Sequence, residues 1–109
     1  MKKPTRERSK LTEHQFELIA KALADPRRMQ VLEVIAGERG CPCQRLTQEF
    51  PVSKATISHH IKELVRAGLV EAHREGQYLH CDVRRDMLDA YTAELRRRAG
   101  LGGSAAAAS

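Results

Sequence analysis

The stretch GERGCPCQRL, residues 37–46, sets Cys41 and Cys43 one residue apart around Pro42. Thiols at this spacing support three chemistries. They can hold a soft metal or metalloid ion as thiolates, react with an oxidant, or fill space as small hydrophobes. Cys81 is the third cysteine of the chain. An odd count fits a reducing compartment better than a disulfide framework. The basic N-terminus, MKKPTRERSK, is not followed by the apolar stretch of a secretory leader, so the expected location is cytoplasmic.

A second group of residues suits a different chemistry. SKATISHHIKELVRAGLV, residues 53–70, places Ile57, Ile61, Leu64 and Val65 on one stripe and Ser58, His59, Lys62 and Arg66 away from it. Lys54 and Thr56 fall in its first turn. A helix divided in this way can pack one face on a scaffold and offer donors and acceptors to base edges with the other. Charge agrees with an anionic partner. The net charge is +5, and residues 1–10 hold five cations against one acid. Such a basic arm commonly touches phosphates.

These residues need a scaffold, and the chain outlines one. At 109 residues it is a single domain, whose core must come from Leu, Ile, Val and Ala, because Phe and Tyr number two each and Trp is absent. No apolar run approaches the ~20 residues that cross a bilayer, so no membrane partner is expected. TEHQ, residues 12–15, is a capping box opening a helix that ends near Ala24. Asp25-Pro26 opens a second helix, with Val31, Leu32, Ile35 and Ala36 inward and a stop at Gly37. A short third helix covers 44–50, and Ser53 caps a longer fourth that ends before Gly68. The period then changes. LVEAHREGQYLHCDV reads as a hairpin turning at REGQ, and a last helix covers about 84–98. The expected domains are a basic arm (1–10), a globular domain (11–98) and a low-complexity tail (99–109).

Helix, helix, short helix, longer helix, hairpin, helix is the order of a helix-turn-helix followed by a wing. The fold class is thus mainly α with a small β-hairpin wing. ALADPRRMQVLEVI, SKATISHHIKELVRAGLV and REGQYLHCDV resemble the ArsR/SmtB winged-helix repressors of bacteria, over residues 11–98. The resemblance implies a homodimer on a pseudo-palindromic double-stranded DNA operator, released by a metal ion, a metalloid or a thiol-modifying signal. It implies DNA contacts at Lys54, Thr56, Ser58 and His59 on the fourth helix and at Arg74, Gln77 and Tyr78 on the wing. Lys62 and Arg66 suit phosphates. It implies dimer surfaces from Phe16, Ile19 and Leu23 with Leu88, Tyr91 and Leu95. His60 is expected at the edge of the core.

The same resemblance sets Cys41 and Cys43 where arsenic-responsive members carry Cys-x-Cys at the start of the third helix. A thiol at a helix N-terminus ionises readily, and Arg39 and Arg45 are expected to add to that effect. The place of a further cysteine three residues on is Leu46, and the N-terminal arm has no cysteine. Cys81 is the candidate third ligand. Strand alternation groups it with Leu79 and Val83, opposite Tyr78, His80 and Asp82. In a winged helix the segment before the third helix pairs with the last wing strand, which would bring Cys81 toward Cys41 and Cys43.

The expected metal set is thus Cys41, Cys43 and Cys81, with arsenite or antimonite as effector and no obligatory cofactor. Purely structural cysteines with another effector remain an alternative, as does a small thiol redox or metal-handling protein that does not bind DNA. A zinc-type site on the last helix is disfavoured, since Asp86, Asp89 and Glu94 come without a histidine. No nucleophile–base arrangement points to an enzyme.

Overall fold

In the computed structural model, which describes residues 11–101, the elements run α1 (Glu13–Leu23), α2 (Pro26–Ala36), β1 (Cys41–Pro42), α3 (Cys43–Glu49), α4 (Lys54–Arg66), β2 (Val70–Glu75), β3 (Tyr78–Val83) and α5 (Arg85–Arg98). The sequence marks set these bounds. Thr12 Oγ1 accepts from Gln15 N while Gln15 Oε1 accepts from Thr12 N, closing the capping box of α1. Asp25 accepts from Arg28 N ahead of Pro26, and Ser53 accepts from Thr56 N to start α4. α4 ends at Gly68, whose φ of +84° lets Leu69 N reach Leu64 O at 3.0 Å. α5 ends in the same motif. Leu101 N reaches Arg96 O at 2.8 Å around Gly100. Residues 99–101 cap the end of this helix. The arm 1–10 and residues 102–109 lie outside the described residues.

The sheet order is β1-β3-β2, antiparallel throughout. Cys41 pairs with Cys81 across β1 and β3, and Ala72 pairs with Cys81 on the other side. Gly76, with φ +65°, and Gln77 form the two-residue hairpin loop, as a primed turn requires. The core joins Ile19 of α1, Val31, Leu32 and Ile35 of α2, Leu46 of α3, Ile57, Ile61 and Leu64 of α4, and Leu69, Val70 and Cys81. It packs α2 against α4 and sets β3 against α2 and α3, which fixes the wing relative to the helix-turn-helix.

Two expectations on packing change. Val65 is not part of the buried stripe. It is 40% exposed, and His60 takes the inward place on α4. Residues 57, 60, 61 and 64 recur at one helical face, and 65 is rotated past its edge. Ile19 is wholly buried within the chain, so it serves the core and not a partner-facing surface. No helix among the described residues is long and apolar enough to cross a membrane.

Candidate nucleic-acid interface and its thiol pair

α4 and the hairpin β2–β3 face each other across a cleft of about 750 Å³. Lys54, Ser58 and Lys62 recur every four residues and so form one row along α4 on the cleft wall. Arg74, Gln77 and Tyr78 line the wall from the wing, with Gln77 Nε2 donating to the Tyr78 hydroxyl at 3.3 Å. Thr56 and His59 are exposed on α4 but lie outside the cleft lining. Among the described residues Lys54, Lys62 and Arg74 have no ion pair, whereas most other arginines do. Cations left unpaired on a concave face favour an anionic partner.

The three cysteines divide unequally. Cys43 Sγ and Cys81 Sγ are 3.6 Å apart, joining the first residue of α3 to the middle of β3. Cys41 Sγ turns instead to the carbonyl oxygen of Pro42 at 3.8 Å. All three are free thiols; Cys41 and Cys81 are buried and Cys43 is half-buried, on the cleft wall. Among the described residues no group of three His, Cys, Asp or Glu side chains is placed to hold a metal ion. Of the expected Cys41, Cys43 and Cys81 set, the sulfurs of Cys43 and Cys81 meet directly and that of Cys41 is turned to another partner. The cause is local. Cys41 is still in strand conformation, paired with Cys81, and Pro42 directs the chain into α3 before Cys43.

The electrostatics single out Cys43. A hydrogen bond from Cys81 holds its thiol down to about 7 against burial, aided by His80 and Arg74. Cys81 is pushed up by its bond to Cys43 and by burial. Burial, with Glu38 adding, pushes Cys41 up to about 11. One thiolate therefore forms first in this cluster, on Cys43. The cations that help differ from those expected. Arg45 is paired with Glu38 at 2.7 Å and only partly offsets the rise at Cys41. Arg74 and His80 come from the wing, a long-range partnership with no local signal in the sequence. His80 is itself held by Gly40 O at 3.0 Å from Nδ1, and Asp82 accepts from Gly40 N at 2.7 Å.

The remaining expected residues fall on two surfaces. Phe16 of α1 packs against Tyr91 of α5 with the rings tilted by 32° and their centroids 4.9 Å apart, and the Arg98 guanidinium lies 3.8 Å over the Phe16 ring centroid. Leu23 and Leu88 are half-buried against the core, and Leu95 is 45% exposed. Two of the three carboxylates of α5 are ion-paired. Asp86 pairs with Arg84 at 3.0 Å, and Glu94 pairs with Arg97 at 2.6 Å and Arg98 at 2.9 Å.

Recognition helix, turn and wing in this order define a winged helix-turn-helix protein of the nucleic-acid-binding kind. Comparison with known proteins narrows the class. Residues 23–73 match a family described as a helix-turn-helix domain. The arsenical resistance operon repressor of Staphylococcus xylosus is 32% identical over 75 residues, spanning 69% of this chain and 71% of that protein. The transcriptional repressor SdpR of Bacillus subtilis is 32% identical over 62 residues, 57% of this chain and 68% of that protein. Among solved structures, a homodimeric winged helix-turn-helix DNA-binding domain from Mycobacterium bovis, described as a possible ArsR-family regulator, superposes with a TM-score of 0.63 at 27% identity, over 80% and 79% of the two chains. An ArsR-like regulator from Rhodococcus sp. RHA1 shares the fold, with a TM-score of 0.71 at 23% identity over 80% and 81%. The chain belongs to the ArsR family of winged-helix transcriptional regulators.

Proposed function

We propose that this protein is a homodimeric repressor that holds double-stranded DNA through α4 and the wing. A thiol-reactive effector, arsenite or antimonite first, releases it by engaging Cys43 and Cys81. The observation that carries the reading is the 3.6 Å approach of these two thiols. They belong to the helix preceding α4 and to the wing, so an ion bridging them changes the two DNA-facing elements together. Trivalent arsenic is soft and takes thiolates readily. The match to repressors of arsenical resistance operons supports that choice of effector.

Lys54, Thr56, Ser58 and His59 are the base-reading candidates, with Lys62 and Arg74 on phosphates and Gln77 and Tyr78 at the wing tip. Phe16, Leu23, Leu88, Tyr91 and Leu95 supply the surface for the second copy, in line with the homodimeric relative. Release requires that the effector favour the low-affinity conformation, and DNA must then weaken effector binding by the same factor.

The test is an arsenite titration of reduced protein with counting and mapping of free thiols. Loss of two thiols per chain, Cys43 and Cys81, with Cys41 still free, is the expected result. Loss of none, or loss that persists in Cys43→Ser, would remove the thiol pair from the mechanism. A second reading keeps the repressor and makes the cysteines structural. Complete burial of Cys41 and Cys81 favours it for those two residues, and the same titration separates it from the first.

A further inference from the structure

The cleft between α4 and the wing holds more than a phosphate strand needs. Cations at its edge suit DNA, but its walls include Ile61, Val65 and Leu79, and Cys43 stands among them. Val65 and Tyr78 are 40% and 47% exposed, two of the few large apolar or aromatic side chains so exposed in the described chain, and both face this space. Sugars and base edges can meet part of an apolar wall, but DNA offers nothing to a nucleophilic sulfur. At about 750 Å³ the space is within the range of small-molecule sites, which pair apolar walls with a few placed polar groups. The charged groups here are Lys54, Lys62 and Arg74, without ion pairs among the described residues, and Ser58, Gln77 and Tyr78 add neutral polar groups.

We propose that this cleft is a covalent ligand site for a small conjugated carbonyl compound, of the enone or quinone class, that carries an acidic group. The apolar ring or chain lies against Ile61, Val65 and Leu79, and its carboxylate or phenolate faces Lys54, Lys62 and Arg74. Cys43 Sγ adds to the β-carbon. One S–C bond forms, the carbon–carbon π pair shifts toward the carbonyl, and the proton lost by the thiol ends on the α-carbon or the oxygen. Nothing leaves, and no external oxidant or reductant is consumed. The hydrogen bond from Cys81 at 3.6 Å steadies the attacking sulfur without competing for the ligand, because Cys81 is buried. The adduct occupies the space between the two DNA-facing elements, so it and DNA exclude each other. That last clause alone rests on the repressor reading.

Two maleimides with the same reacting carbon, 3-maleimidopropionate and N-ethylmaleimide, test the site on the full reduced chain, with glutathione as reference thiol. Adducts are mapped by peptide mass spectrometry. Cys43 is expected to react first, and relative to glutathione the carboxylated probe is expected to gain about tenfold over the neutral one. That gain is expected to vanish in Lys54→Gln/Lys62→Gln/Arg74→Gln, while Val65→Glu slows both probes at Cys43. A first adduct on Cys41 or Cys81, or a charge preference equal in wild type and the triple variant, would overturn the site. A duplex at low salt is expected to protect Cys43. Charge preference without such protection would uphold the site and overturn its exclusion of DNA.

Discussion

Removing the Cys81 thiol is the perturbation that speaks most directly to the chemistry of Cys43. The Sγ–Sγ distance of 3.6 Å makes Cys81 the chief support of the Cys43 thiolate, ahead of His80 and Arg74. With its thiol at about 7 in place of the usual 9.0, Cys43 is about half ionised at pH 7, where an ordinary thiol is ionised about one part in a hundred. The gain in rate is smaller than the gain in thiolate. A thiolate two units less basic is intrinsically slower by roughly 8-fold at a Brønsted slope near 0.45, leaving a net advantage of roughly 6-fold. The midpoint of the pH–rate profile is therefore the decisive readout. In Cys81→Ala the midpoint for alkylation of Cys43 by iodoacetamide is expected to move upward from about 7 toward 9.0, stopping short because His80 and Arg74 remain. Cys41→Ser serves as the control and is expected to leave the midpoint in place. An unchanged midpoint in Cys81→Ala would refute the thiol–thiol hydrogen bond as the cause.

Three further outcomes follow from the same geometry. His60 is buried among Asp25, Arg27, Arg28 and His59, and burial holds it below the usual 6.5 despite Asp25. Its neutral form is favoured by folding, so the stability it contributes is complete above pH 6.5 and is lost as pH falls through the lowered value; chemical denaturation against pH is expected to flatten in this window for His60→Leu. Gly68→Ala forces φ +84° on a residue with a Cβ that meets Met87 Cε at 3.3 Å, for a loss of about 1–2 kcal/mol in denaturant unfolding. Lys54→Gln and Arg74→Gln are each expected to reduce the log–log salt slope of duplex binding by about 0.9 if each cation neutralises one phosphate, which anisotropy titrations at several salt concentrations measure.

Most of the frame was legible in the chain because its signals are local. The capping box at Thr12–Gln15, the Asp25-Pro26 start and the Gly68 stop each act within a few residues, and each sits where the pattern put it; the hairpin turns within REGQ, with Arg74 and Glu75 still in the strand. The inward face of β3 was also readable, since alternation alone groups Cys81 with Leu79 and Val83. What escaped depends on where distant segments meet. The resemblance groups Cys41, Cys43 and Cys81, but which sulfurs meet was not legible, because Cys41 belongs to β1 and Cys43 to α3 and their thiols take different partners. Val65 and Ile19 each fit an apolar repeat, and only the packing of α1, α2 and α4 decides which is covered. Arg45, near the thiols in sequence, is taken by Glu38, while Arg74 reaches Cys43 from the wing.

The most direct test of the central claim is DNA release itself. A duplex selected from a random pool for binding is titrated with reduced protein, followed by fluorescence anisotropy, and arsenite is then added to wild type, Cys41→Ser and Cys43→Ser. Release from wild type and Cys41→Ser, with Cys43→Ser remaining bound at the same arsenite concentration, is the expected result. Equal release from all three proteins, or retention of DNA by all three, would contradict a repressor governed through the Cys43–Cys81 pair.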